Sequence, residues 1–148
     1  MNKIKKKIVI IGVGYVGLPL LVSLNKHYEC VGYDINKNRI NELNRYKDST
    51  KTFTKSELKN ILFTYNLSDL KSYNTFIVTV PTPVKKNNKP DLAYLKNACK
   101  GISKVIKIND LIIFESTYAP FTTKKFCIKI IEEKSKIKSE NFYFGYSP

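Results

Sequence analysis

At 148 residues the chain has the size of one domain and can bury a sizeable core, and its 43% hydrophobic content is ordinary for a globular protein. The formal net charge of +14 is not ordinary; it fits an anionic partner (nucleic acid, a membrane surface, nucleotide phosphates) or a composition bias in which Lys, Asn, Ile, Tyr and Phe are abundant together. The lysines are spread along the whole chain without an aromatic–basic signature, which argues against nucleic acid; three unpatterned cysteines and one histidine leave no disulfide framework, zinc site or His-based catalysis.

Ile8 to Ile11 is an apolar run of the kind a fully buried strand needs, and a glycine fingerprint, Gly12, Gly14 and Gly17, follows at once. At that spacing the first glycine makes a tight turn, the second clears room for phosphates and the third lets a helix sit close to the strand. A helix is predicted over 15–26, with Pro19 near enough to its start to be tolerated. Its free N–H groups and positive dipole end face the turn. Residues 8–24 carry no charge and follow Lys3, Lys5, Lys6 and Lys7, which imitates a signal peptide or membrane anchor. The glycines and Pro19 interrupt that run, it is short for a span, and no small-residue cleavage site follows. The expectation is therefore a cytoplasmic chain without membrane association.

Residues 29–33 read as a second strand closed by Asp34, and 36–44 as a helix. A polar connection over 47–56, with Asp48 and Ser49 as turn formers, leads to a short helix at 55–60 and a third strand at 61–65. A helical turn at 67–70 precedes a buried strand at 75–80, marked by its β-branched run. Pro81-Thr-Pro83 breaks that strand and 84–90 is a polar loop. Asp91 is placed to cap a helix over 92–106, and Asn109-Asp110 turns the chain into a strand at 111–115. Thr122 or Thr123 can cap a further helix to Lys134, and 141–146 reads as a last strand. Strand and helix alternate throughout. The predicted fold is a Rossmann-type, doubly wound α/β domain over 1–148: a mostly parallel sheet with helices on both faces.

In such a sheet, ligands bind beyond the carboxyl ends of the strands. A dinucleotide site needs an acidic residue about 20 positions after the fingerprint to hold the ribose hydroxyls, and Asp34 stands there. Its carboxylate would repel a 2′-phosphate, favouring NAD over NADP, although Lys37 and Arg39 nearby soften that preference. The competing role for Asp34 is an N-cap of the next helix. Thr82, held between two prolines, is either a fixed hydroxyl at the site or part of a strand-ending turn. Thr117, just past a buried strand, either orients a water or cofactor amide or caps a helix, and spacing alone favours the cap. Cys30, Cys99 and Cys127 each lie in apolar surroundings, as inert core thiols do.

Taken in order, Gly12-Val-Gly-Tyr-Val-Gly-Leu-Pro19, Asp34 with Arg39, Val78-Thr-Val-Pro-Thr-Pro83, Pro90-Asp-Leu92, Phe114-Glu-Ser-Thr117 and Gly145-Tyr-Ser-Pro148 resemble the NAD-binding domain of the UDP-glucose/GDP-mannose dehydrogenase family. Within it the chain looks most like the UDP-N-acetylhexosamine 6-dehydrogenases of capsule and O-antigen synthesis. The resemblance implies NAD as cofactor, a UDP-sugar substrate, and oxidation of the sugar C6 alcohol to a carboxylate through a cysteine-bound intermediate in a homo-oligomeric full-length enzyme. It implies that Gly12, Val13, Gly14, Tyr15, Val16 and Gly17 surround the pyrophosphate, with Asp34 and Arg39 at the adenosine ribose and base. Thr82 and Thr117 then lie on the nicotinamide side, Thr117 also positioning the hydrolytic water.

The chain departs from that family in ways that matter. The family's cysteine nucleophile, its catalytic lysine and asparagine, and its UDP-binding domain have no counterpart here. The expected reading is a truncated piece that binds cofactor and does not turn over alone. A non-catalytic NAD-binding or interaction module is the alternative. Phe121 replaces a glycine usual after Pro120, and a ring there would crowd the nicotinamide site. Lys124 and Lys125 stand where acidic residues are common, so the helix start loses favourable dipole pairing.

Overall fold

The fold is described from a computed structural model, which describes residues 6–85, 90–115 and 123–147. Six strands form one sheet in the order β3-β2-β1-β4-β5-β6, and every neighbouring pair is parallel. These are β1 (Lys7–Ile11), β2 (Glu29–Tyr33), β3 (Leu62–Thr64), β4 (Thr75–Val78), β5 (Leu111–Glu115) and β6 (Tyr143–Ser147). The chain starts in the middle, winds outward through β2 and β3, and returns to add β4, β5 and β6 on the other side of β1. That reversal of direction at β1/β4 is the switch point where such sheets open a crevice.

The helices follow from the same winding. α1 (Gly17–Leu24), α2 (Lys37–Asn44) and α3 (Lys55–Leu58) cover one face, where Leu18, Leu21, Ile40, Leu43 and Leu58 meet Ile8, Ile10 and Ile77 of the sheet. α4 (Ala93–Ile102) and α5 (Lys129–Ser135) cover the other. There Leu95, Cys99, Ile102 and Ile131 pack on Val9, Phe76, Ile112 and Phe114. Alternate residues of β1 thus belong to opposite cores, as a parallel sheet buried on both faces requires. Gly32 is where α1 comes closest to β2: a Cβ there would lie 2.6 Å from Leu21 Cδ2 and 2.7 Å from Val13 Cγ1.

Most predicted elements are trimmed by a residue or two at their ends, and three differences have a plain cause. The helix predicted over 92–106 stops at Ile102, because Lys104 N–H and Val105 N–H turn back to Gly101 and Ile102 carbonyls in tight i−3 bonds. Val105 and Ile106 are buried beyond the helix end, so their apolar spacing imitated another helical turn. The strand predicted over 75–80 ends at Val78, with Thr79 just beyond it. The segment before α5 is wound as a π-helix over Thr123–Ile128, a winding that apolar periodicity does not announce. Asn109 takes the left-handed turn into β5, with φ 69°. Thr117, Phe121, Thr122 and most of the 84–90 loop lie outside the described residues.

Candidate dinucleotide site

At the carboxyl edge of the sheet three backbone bonds continue the ladders past the strands. Gly12 N–H donates to Tyr33 O at 2.8 Å, Thr79 N–H to Ile11 O at 2.9 Å and Asp34 N–H to Thr64 O at 3.3 Å. The chain then turns with Gly12 at φ 95°, a conformation in which a side chain is strained. Gly17 lets α1 begin in close contact with that turn. A Cβ there would lie 1.8 Å from the Gly12 carbonyl oxygen and 2.5 Å from Thr79 Oγ1. The first residue of α1 therefore presses directly on the turn, and only glycine fits.

Gly14 is different. A Cβ on it would meet nothing within 4 Å among the described residues, so none of them requires a glycine there. Tyr15 and Val16 beside it are 85% and 56% exposed. Among the described residues, no acceptor takes the N–H of Gly14, Tyr15 or Val16. The turn thus offers N–H groups and a helix N-terminus to one side, an arrangement suited to an anion such as pyrophosphate.

Asp34 is not the cap of α2. Asn36 is, accepting from the N–H groups of Asn38 at 3.1 Å and Arg39 at 3.3 Å. The Asp34 carboxylate instead binds across the fingerprint, with Oδ2 accepting from Val13 N–H at 3.1 Å and Oδ1 from Asn36 N–H at 2.9 Å. Arg39 grips the same residue from its other side, donating from Nε to Val13 O at 3.1 Å. Val13 itself is fully buried. Burial, and then the nearby Asp34 charge, raises the pKa of the Tyr33 phenol above its usual range.

Thr79 is the residue beside the turn that the sequence pattern concealed. Its hydroxyl donates within reach of two carbonyls, Gly12 O at 2.7 Å and Ile11 O at 3.1 Å, and so ties the end of β4 to the turn. A single threonine in a β-branched run carries no signal of that kind, because such a run needs threonine for the strand alone. Thr82 lies three residues further on and is half-buried; among the described residues its hydroxyl has no partner. The segment is anchored through Pro83, whose carbonyl accepts from Asp91 N–H at 2.7 Å. Asp91 in turn accepts from Ala93 N–H at 3.0 Å, one position earlier than a true cap of α4. Glu115 ends β5 beside Ser147 of β6, and Thr117 is outside the described residues.

All three cysteines are buried and free. Burial, helped by the Glu29 charge, pushes the Cys30 thiol up to about 11. A hydrogen bond with Cys127, and then burial, drives the Cys99 thiol far upward. No group of His, Cys, Asp or Glu among the described residues could hold a metal ion. No helix among them is long and apolar enough to cross a membrane. A groove of about 420 Å³, lined by Lys6, Thr75, Leu111 and Tyr143 among others, lies at the opposite edge of the sheet. That edge holds the amino ends of the strands, away from where α/β sheets bind ligands.

The strand order, the crevice at β1/β4 and the glycine cradle define a dinucleotide-binding domain of the doubly wound class. The family is equally plain: the model of the UDP-glucose/GDP-mannose dehydrogenase family, NAD binding domain, matches residues 6–148, and the chain belongs to that family. It is 45% identical over 146 residues to a UDP-N-acetyl-D-glucosamine 6-dehydrogenase of Pseudomonas aeruginosa, covering 96% of this chain and 35% of that protein. It is 40% identical to the protein CapL of Staphylococcus aureus, covering 97% of this chain and 34% of that protein. In structure it is similar to a GDP-mannose dehydrogenase from Pseudomonas aeruginosa, solved as a ternary complex, with a TM-score of 0.88 and 26% identity. That match covers 96% of this chain and 36% of that one. The chain spans about a third of the length of the curated relatives it matches.

Proposed function

We propose that the chain is the cofactor half of a UDP-N-acetylhexosamine 6-dehydrogenase, a cytoplasmic enzyme that oxidises the sugar C6 alcohol to a carboxylate for surface-polysaccharide synthesis. The observation that carries the cofactor part is the glycine cradle, in which the described residues require a glycine at Gly17 and not at Gly14. A glycine without a packing reason, beside free N–H groups at a helix start, is explained by close approach of a phosphate. NAD when bound supplies the hydride acceptor. The N–H groups of Gly14, Tyr15 and Val16 then hold the pyrophosphate, and Asp34 faces the ribose hydroxyls with the lone pairs that Val13 and Asn36 leave open. Thr82 and Thr117 are assigned to the nicotinamide side.

The substrate part rests on the relatives, since the first of them is a UDP-N-acetyl-D-glucosamine 6-dehydrogenase. The chain alone is not expected to turn over. Cys30, Cys99 and Cys127 are 2%, 0% and 0% exposed, so none presents a thiolate to a sugar aldehyde. The UDP-sugar site and the homo-oligomeric assembly belong to the rest of a full-length enzyme. The test is to incubate the purified chain with NAD and UDP-N-acetylglucosamine, following bound NAD and NADH formed. NAD bound without NADH is the expected result. Sustained NADH formation would overturn the cofactor-half assignment, and a folded chain that binds no NAD would overturn the cofactor assignment.

A further inference from the structure

The proposed NAD site has a cation in an unexpected state. A 2′-phosphate is welcomed in such sites by an arginine with donors to spare, and Arg39, which shares Val13 with Asp34, is placed for it. Yet Arg39 is occupied. Its Nε donates to Val13 O, and its Nη1 donates to Glu42 Oε1 at 2.9 Å and to Ser49 Oγ at 3.3 Å. Its Nη2 lies 2.9 Å from Asp48 Oδ1, off the hydrogen-bond axis, so that contact is one of charge. The Arg39 side chain is only 11% exposed.

The two carboxylates are themselves held. Asp48 accepts from Thr50 N–H at 3.1 Å, Thr50 Oγ1 at 2.7 Å, Thr52 N–H at 3.0 Å and Phe53 N–H at 3.2 Å. Glu42 accepts from Ser49 N–H. The loop between α2 and α3 is therefore folded around the carboxylates that clasp Arg39. Asp34, which shares Val13 with Arg39, adds a third carboxylate to these two. Lys37, the other cation at the start of α2, is drawn elsewhere, with its Nζ 5.2 Å from the centre of the Tyr65 ring.

We propose that Glu42 and Asp48 set the choice of NAD over NADP at the site described above, by occupying the Arg39 guanidinium that would otherwise pair with a 2′-phosphate. They are positioning residues, acting on the cofactor through Arg39. The inference rests on the NAD reading of the site. Neutralising Glu42 frees a guanidinium donor, neutralising Asp48 removes the charge that holds Nη2, and either change removes a like charge that repels the phosphate.

The test is calorimetric titration of the 148-residue chain and of its Asp48→Asn and Glu42→Gln variants with NAD and, separately, NADP. The affinity ratio of NADP to NAD is expected to rise about threefold to tenfold in each variant at low ionic strength, and the gain to shrink in high salt. A purely structural role would weaken both cofactors in parallel; an unchanged ratio in the folded variants overturns the inference while leaving the NAD site standing. Should Asp48→Asn not fold, Glu42→Gln carries the test, since Glu42 makes fewer loop contacts. Failure of the parent chain to bind NAD would overturn the site reading and this inference with it.

Discussion

Exchanging each of two fingerprint glycines for alanine separates folding from binding. In Gly17→Ala the new methyl lies 1.8 Å from Gly12 O, 3.0 Å from the Gly12 carbonyl carbon and 2.5 Å from Thr79 Oγ1. The obstructing Gly12 atoms are backbone, so relief requires α1 to lift off the turn by well over an ångström. Overpacking of this kind costs about 1–3 kcal/mol. The Thr79 hydroxyl bond to Gly12 O is lost as well, at about 1 kcal/mol. The helix preference of alanine returns at most about 1 kcal/mol. The net expectation is about 1–4 kcal/mol of destabilisation, a large share of a stability in the usual range of about 5–15 kcal/mol. In Gly14→Ala the methyl meets no atom of the described residues within 4 Å and the backbone needs no positive φ. Stability should hold or rise by up to about 1 kcal/mol, while NAD binding should fall by about tenfold or more as the methyl enters the phosphate cradle. Urea unfolding gives the first quantity from the midpoint at constant m, and NAD titration gives the second. A Gly17→Ala chain as stable as its parent would refute the packing account, and a Gly14→Ala chain that binds NAD normally would refute the phosphate account.

Further outcomes rest on the same contacts. Thr79→Val removes a hydroxyl shared by Gly12 O and Ile11 O; it should cost about 1–2 kcal/mol, with Thr79→Ser recovering most of it in urea titrations. The burial of Asp48 pushes its carboxyl upward, but its contacts with Thr50, Arg39, Thr52 and Phe53 prevail and hold it at about 2, below the unperturbed 3.8. A depressed carboxyl contributes stability above its unfolded pKa and loses it as pH falls through the folded value. The stability gap between the parent and Asp48→Asn should therefore narrow between those two pH values, and a gap constant with pH would contradict the hydrogen-bond assignment. Cys30, Cys99 and Cys127 should resist alkylation in the native chain at neutral pH and react on unfolding; rapid native labelling of any one would contradict its burial.

Much of this architecture can be read from the residues because local and global demands agree. The apolar runs of β1, β2 and β5 are buried and short, with turn formers at their ends, so their bounds fall within a residue of the sequence reading. Where tertiary contacts decide, the pattern is silent. Asp34 is legible as the acidic residue after the fingerprint, with a helix cap as its competing role, but not its bond back across 21 residues to Val13, nor Asn36 as the cap of α2. Arg39 looks like a free cation until the loop after α2 folds onto it, and only the fold brings Asp48 within reach. Thr79 looks like one more strand residue until β4 is seen to end at Val78. Each of these side chains works across the sheet, not along the chain, and periodicity reports only what repeats along the chain.

The most direct measurement is a backbone amide NMR titration of the 148-residue chain with NAD. The account predicts saturable shifts concentrated at Gly14, Tyr15, Val16, Gly17 and Asp34, with the amides of β6 and of the groove at the opposite sheet edge unmoved. Shifts confined to that groove, at Thr75, Leu111 and Tyr143, or no saturable shift in a folded chain, would contradict it.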